Sequence, residues 1–126
     1  MKYAFIILLS LVWAAPSVAQ HSHDSEKGPN GGQMEDVAGI DAELVTSGNK
    51  VTINVFDPKN SKPVATKGYS GAVLIANGTA KETVTLAASG ENSLQGEAKA
   101  VIAAGATVTL TIKTAEGKSG QAKFKK

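Results

Sequence analysis

Four side chains near the amino end are of types that hold metal ions: His21, His23, Asp24 and Glu26. Imidazole suits copper, zinc and nickel, and carboxylates can fill the remaining coordination positions. Both histidines of the chain lie in this polar stretch, and none follows. Two more carboxylates, Asp41 and Glu43, alternate with Ile40, Ala42 and Leu44, so both are expected on one face of a strand. If the histidine-bearing segment folds back on that strand, His21, His23, Asp24, Glu26, Asp41 and Glu43 together make a divalent-metal site. The plainer alternative makes the histidines solvated linker residues and the two carboxylates a solvated strand face.

If an amino-terminal leader is removed, the position of the cut bears on this chemistry. Cleavage after Gln20 would leave His21-Ser22-His23 at the terminus, where the amine, two deprotonated amides and the His23 ring can enclose copper(II) or nickel(II) in a square plane. Cleavage after Ala19 is the better match to signal-peptide rules and leaves Gln20 leading, where it can cyclise and lose its amine.

Enzymatic chemistry finds little support. From Ile40 onward there is neither histidine nor cysteine, so no serine has an obvious base partner. Asp41 and Glu43 could in principle act as paired carboxylates, but a solvated strand face explains them better. Gly28 to Gly32 does not lie between a strand and a helix and is no phosphate cradle. The expectation is a protein that is not an enzyme.

The elements that must position these residues follow from composition and period. The chain has 126 residues and a formal charge of +2, with thirteen basic residues, all lysine, against eleven acids. Without arginine or clustered aromatics, nucleic acid is not an expected partner. Residues 1–19 read as a secretory signal peptide: Lys2, the apolar run Tyr3 to Trp13, and the small-residue site Ser17-Val18-Ala19. That run is shorter than the ~20 residues needed to cross a bilayer, so no membrane anchor remains after cleavage. The absence of cysteine leaves no disulfide framework and no lipid-anchored cysteine. A soluble periplasmic protein is expected.

Residues 20–37 are expected as a flexible polar arm that tightens at Gly28-Pro29-Asn30-Gly31-Gly32. Residues 38–126 read as one β domain. Ile40 to Leu44 and Val51 to Val55 should pair as a hairpin around Ser47-Gly48-Asn49. Asp57 to Pro63 is a loop. Tyr69 to Ala76 is a strand whose Val73-Leu74-Ile75 run suggests burial on both faces or a local twist. Asn77-Gly78 predicts a type I′ turn leading to the return strand Lys81 to Ala87, and it explains Asn77-Gly78-Thr79 better than glycosylation does. A short segment surrounds Leu94, and Ala98 to Ala104 is compatible with a strand or one helical turn. Val108, Leu110 and Ile112 mark another strand, and Gln121 to Lys125 the last. About seven short strands predict an all-β, single immunoglobulin-like two-sheet β-sandwich.

His23 and Gly28-Pro29-Asn30-Gly31-Gly32-Gln33, with Ala42-Glu43-Leu44-Val45, Lys62-Pro63-Val64, Lys67-Gly68 and Gln121-Ala122-Lys123-Phe124, resemble a family of small exported bacterial proteins. The opening is also similar to the amino-terminal domain of periplasmic adaptor subunits of heavy-metal efflux pumps of the resistance-nodulation-division type. The first likeness covers nearly the whole chain after the leader, the second mainly the opening and the first two strands. The resemblance implies a periplasmic β-sandwich associated with metal resistance, with copper, zinc, cobalt or cadmium as candidate ions and no catalytic residue. Relatives often carry histidine where this chain has Asp41, a departure that lowers affinity or favours harder ions. A metal-binding or efflux accessory protein, handing its ion to an adaptor or pump, is therefore expected. The alternative is a β-sandwich interaction module of the envelope, its contact made by an edge strand or the Asp57 to Pro63 loop.

Overall fold

The computed structural model describes residues 27–126. His21, His23, Asp24 and Glu26, the leader and the first part of the arm lie outside the described residues. The elements are β1 (Gln33–Val37), β2 (Ile40–Ser47), β3 (Lys50–Phe56), β4 (Ser70–Asn77), β5 (Ala80–Ser89), β6 (Ser93–Glu97), β7 (Thr107–Lys113) and β8 (Ser119–Lys125). All pair antiparallel in one sheet of order β1-β2-β3-β6-β5-β4-β7-β8. The all-β class is as the period-two alternation requires. The described residues make eight strands in a single sheet, where about seven in two sheets are expected from the sequence.

The additional strand is β1, formed by residues the sequence places in the arm. Gln33 to Val37 has no apolar alternation; it is drawn into the sheet by pairing with β2, from Gln33 opposite Leu44 to Val37 opposite Ile40. A two-residue turn with Ala38 at φ 52° and Gly39 at φ 81° closes that hairpin, the positive pair a type I′ turn needs. The β4–β5 turn differs from expectation. Asn77 faces Ala80 across the ladder, so the turn residues are Gly78 and Thr79, and of these only Gly78 has positive φ, at 62°. This is the type II′ signature, with glycine at the first central position.

The sheet curls until its edges meet. Lys125 N–H donates to Gln33 Oε1 at 2.8 Å. Near the other end of the seam, a methyl on Gly120 would lie 3.0 Å from Ala38 N. The interior is filled by alternate residues of every strand, among them Val51, Ile53, Val73, Leu94, Val108, Leu110 and Phe124. Burial of consecutive residues, expected around Val73-Leu74-Ile75, occurs in β2 and β3 instead: Ala42, Glu43 and Leu44 are all buried, as are Ile53 to Phe56, whereas Leu74 is 39% exposed. The Ala98 to Ala104 segment forms neither strand nor helix. It docks on the β2–β3 turn through Ala98 N–H to Asn49 O (2.8 Å) and Ile102 N–H to Gly48 O (3.0 Å).

Candidate functional site

The most constrained polar group in the described residues is the Glu43 carboxylate. Its position in β2 places it on the outward face, opposite Met34 of β1 and Asn54 of β3. An outward carboxylate on a bare sheet would be solvated, yet Glu43 is 0% exposed. The expectation of a solvated face is thus corrected at this residue: the Gly28–Gly32 loop lies over it.

Four N–H donors converge on the two oxygens. Asn30 gives its backbone N–H to Oε2 and its side-chain amide to Oε1, each at 2.8 Å. Gly32 N–H donates to Oε2 at 3.0 Å, and Asn54 Nδ2 to Oε1 at 3.3 Å. Each oxygen accepts twice, which satisfies both of its lone-pair sites. The row continues across the sheet: Asn54 Oδ1 accepts from Ser93 Oγ at 2.6 Å, and Ser93 O accepts from buried Thr66 Oγ1 at 2.9 Å. A buried carboxylate is costly unless paired or fully hydrogen-bonded, and here the bonding is complete.

The glycines of the loop have separate reasons. A methyl on Gly28 would lie 2.4 Å from Glu43 Cδ, and one on Gly32 would lie 2.1 Å from Leu44 O. Those two positions admit only a hydrogen. Gly31 has open space around it but sits at φ 79°, where glycine costs least. Within the loop, Gly28 N–H donates to Gly32 O at 2.7 Å and Gly31 N–H to Gly28 O at 3.0 Å, while Lys27 bridges to Gln33. The motif is a clasp that pins the root of the arm to the second strand.

Asp41 lies two positions along β2, half-buried, opposite Asp36 of β1 and Phe56 of β3. It therefore shares a strand face with Glu43 but not its clasp. No group of three or more His, Asp or Glu residues suited to a metal ion occurs among the described residues. Asn54 and Ser93 carry no mark in the sequence as site residues, and Asn30 is marked there only as part of the glycine-rich turn. The signal that could have found two of them is the hairpin register: a turn centred on Gly48-Asn49 sets Glu43 opposite Asn54, and Asn54 in turn faces Ser93.

Two open clefts flank this region. One of about 330 Å³ adjoins the clasp beside the Gln33–Lys125 contact, with Asn30, Gly32, Gln33, Leu44 and Lys125 in its wall. The other, about 410 Å³, lies at the opposite end of the sheet among Ile40, Asp57, Lys59, Tyr69, Glu116 and Lys118. Burial, and secondarily the negative charge of Glu116, raises the Tyr69 phenol above its usual pKa. No protein-family model, curated protein or solved structure matches this chain.

Proposed function

We propose that the chain is a non-enzymatic exported protein that captures a divalent transition-metal ion with its histidine arm, the β domain serving as the arm's carrier. The supporting observation is the clasp, in which a fully buried carboxylate and a five-residue loop fix the point where the arm leaves the fold. His23 precedes Lys27 by four residues, so at full extension it lies within about 14 Å of that root. Glu43 does not fit as a ligand, because N–H donors fill its acceptor positions. The ion, copper, zinc or nickel, is then cargo for His21 and His23 with Asp24 and Glu26, and the fold's contribution reduces to Asp41. Delivery to a periplasmic efflux adaptor or pump is the role that the resemblance suggests. The immunoglobulin-like, two-layer description belongs to the same reading. It is supported by β5, which pairs with β4 up to Leu86 and with β6 from Ala87, so the sheet can divide there.

A second reading, an envelope interaction module whose histidines are incidental, is favoured by the commitment of Glu43 to the clasp. Calorimetric titration of residues 20–126 with copper(II), zinc(II) and nickel(II) separates the two. One-to-one binding at micromolar or tighter affinity, lost in the His21→Ala/His23→Ala variant, is expected. Weak binding shared by the variant would overturn the metal reading and leave the interaction module.

A further inference from the structure

Charge is divided between the two halves of the outer surface. Outward positions of β5, β4, β7 and β8 align in transverse rows. Lys81, Ala76, Thr107 and Lys125 form one row, and Thr83, Leu74, Thr109 and Lys123 the next. Lys113 stands at the far end, between Ser70 and Ser119. The four lysines are exposed, and no carboxylate occupies an outward position of these four strands. Glu82, the one acid within them, lies in register with Ile75 and belongs to the inner row. On the other half, Asp36, Asp41 and Glu97 face outward on β1, β2 and β6, with Lys50 of β3 as the single cation in those strands.

The basic face is broad and smooth. Between the lysines stand threonine, serine, alanine and glutamine, side chains too short to build a groove, and Leu74 at the centre is 39% exposed. Three strand spacings separate Lys81 from Lys125, roughly 14 Å. Lysine is a flexible point charge that lacks the bidentate fork used to read individual phosphates or carboxylates. The face also has no aromatic ring on which a base could stack. A smooth convex area of dispersed cations with hydroxyls between them matches a partner that is extended, diffuse and negative and does not need to enter a groove.

We propose that this face docks on the anionic headgroups of a phospholipid bilayer. Each lysine near such a surface contributes about a five-fold gain in partitioning, and the attraction decays within a Debye length. The contact is electrostatic and peripheral, since one central leucine is too little apolar surface for insertion. Membrane docking would restrict the protein's search for a membrane-embedded partner to two dimensions. It stands independently of whether the arm binds metal.

The test is co-sedimentation of residues 20–126 with phosphatidylglycerol–phosphatidylcholine vesicles and with pure phosphatidylcholine vesicles at low ionic strength. This segment contains all eight strands of the described residues and omits the apolar run Tyr3 to Trp13, whose own bilayer affinity would mask the effect. Binding to the anionic vesicles alone is expected, reversed by salt and weakened about five-fold for each of Lys81, Lys113, Lys123 and Lys125 replaced by glutamine. Replacement of Lys50, Lys59, Lys62 and Lys67 should leave it within two-fold or so, since these lie off the face. Far-UV circular dichroism and the thermal midpoint check that each variant is folded. Equal binding to neutral vesicles, undiminished binding by the folded face variant, or equal loss in the off-face variant would overturn the proposal. So would binding to a soluble polyanion such as heparin without binding to anionic vesicles. Replacing His21 and His23 should change nothing, which separates this result from the metal titration.

Discussion

Asn30 holds both oxygens of Glu43, its backbone N–H on one and its side-chain amide on the other, each at 2.8 Å. A residue in a glycine-rich loop thereby satisfies half of the acceptor positions of a carboxylate thirteen residues away. Loop and strand stabilise each other through this contact, and neither conformation makes sense without the other.

Glu43→Gln keeps the shape of the side chain but turns an amide N–H₂ toward N–H donors. The expected loss is about 3 kcal/mol in urea unfolding, the scale of a broken buried charged network. Asn30→Asp sets a second carboxylate against the first and should destabilise more than Asn30→Ala. The local readout is tryptic cleavage after Lys27, which should be faster in Asn30→Asp. If the two Asn30 variants unfold alike and Lys27 is cut at the parental rate, the clasp is not what fixes the loop.

The glycines divide into two kinds. Gly31→Ala should cost only about 1 kcal/mol, because nothing crowds the added methyl and the penalty is that of a positive φ. Gly28→Ala and Gly32→Ala push a methyl into the Glu43 side chain and the Leu44 carbonyl, and should open the loop outright. Thermal midpoints of the three variants check the order, and equal shifts would contradict it.

Tyr69 supplies a pH dependence with a clean optical signal in residues 20–126, since the only other tyrosine of the sequence is Tyr3. Its phenol titrates above the ordinary value of 10.0, chiefly from burial and secondarily from Glu116. A folded pKa above the unfolded one means that the unfolded chain loses its proton first. The contribution to stability is therefore complete below pH 10 and declines as pH rises through the folded pKa. Glu116→Gln should lower the phenol's pKa while leaving most of the elevation in place. A return to the ordinary value in that variant would assign the shift to Glu116 alone.

The strands that alternate cleanly could be read from the sequence, because apolar residues two apart identify a half-buried strand with little help from context. Val51, Ile53 and Val55, or Val108, Leu110 and Ile112, are of this kind. Strand β1 could not. Its two apolar residues, Met34 and Val37, fall on opposite faces, and the positions sharing the inner face with Val37 are Gln33 and Glu35. Those polar residues are tolerated because they lie at the seam, where Gln33 supplies the bond to Lys125 that a ladder would otherwise make. The clasp was half legible. Its glycines were visible as a turn, but their missing side chains acquire meaning only when Glu43 is known to lie beneath them. That is a tertiary fact which no local period encodes. The alanine-rich stretch offered no period at all, and its place was set by the β2–β3 turn on which it docks.

The seam between β1 and β8 has a consequence for how the molecule is made. The first strand of the sheet is completed by the last, through Gln33 and Lys125, ninety-two residues apart. A chain delivered amino end first can pair its neighbouring strands as they arrive, yet the two edges cannot meet until residue 125 has been delivered. During that interval β1 presents an unguarded margin. Assembly of this fold is therefore finished only when the whole chain has arrived, and loss of the final strand would leave Gln33 without its partner and β7 as a new edge.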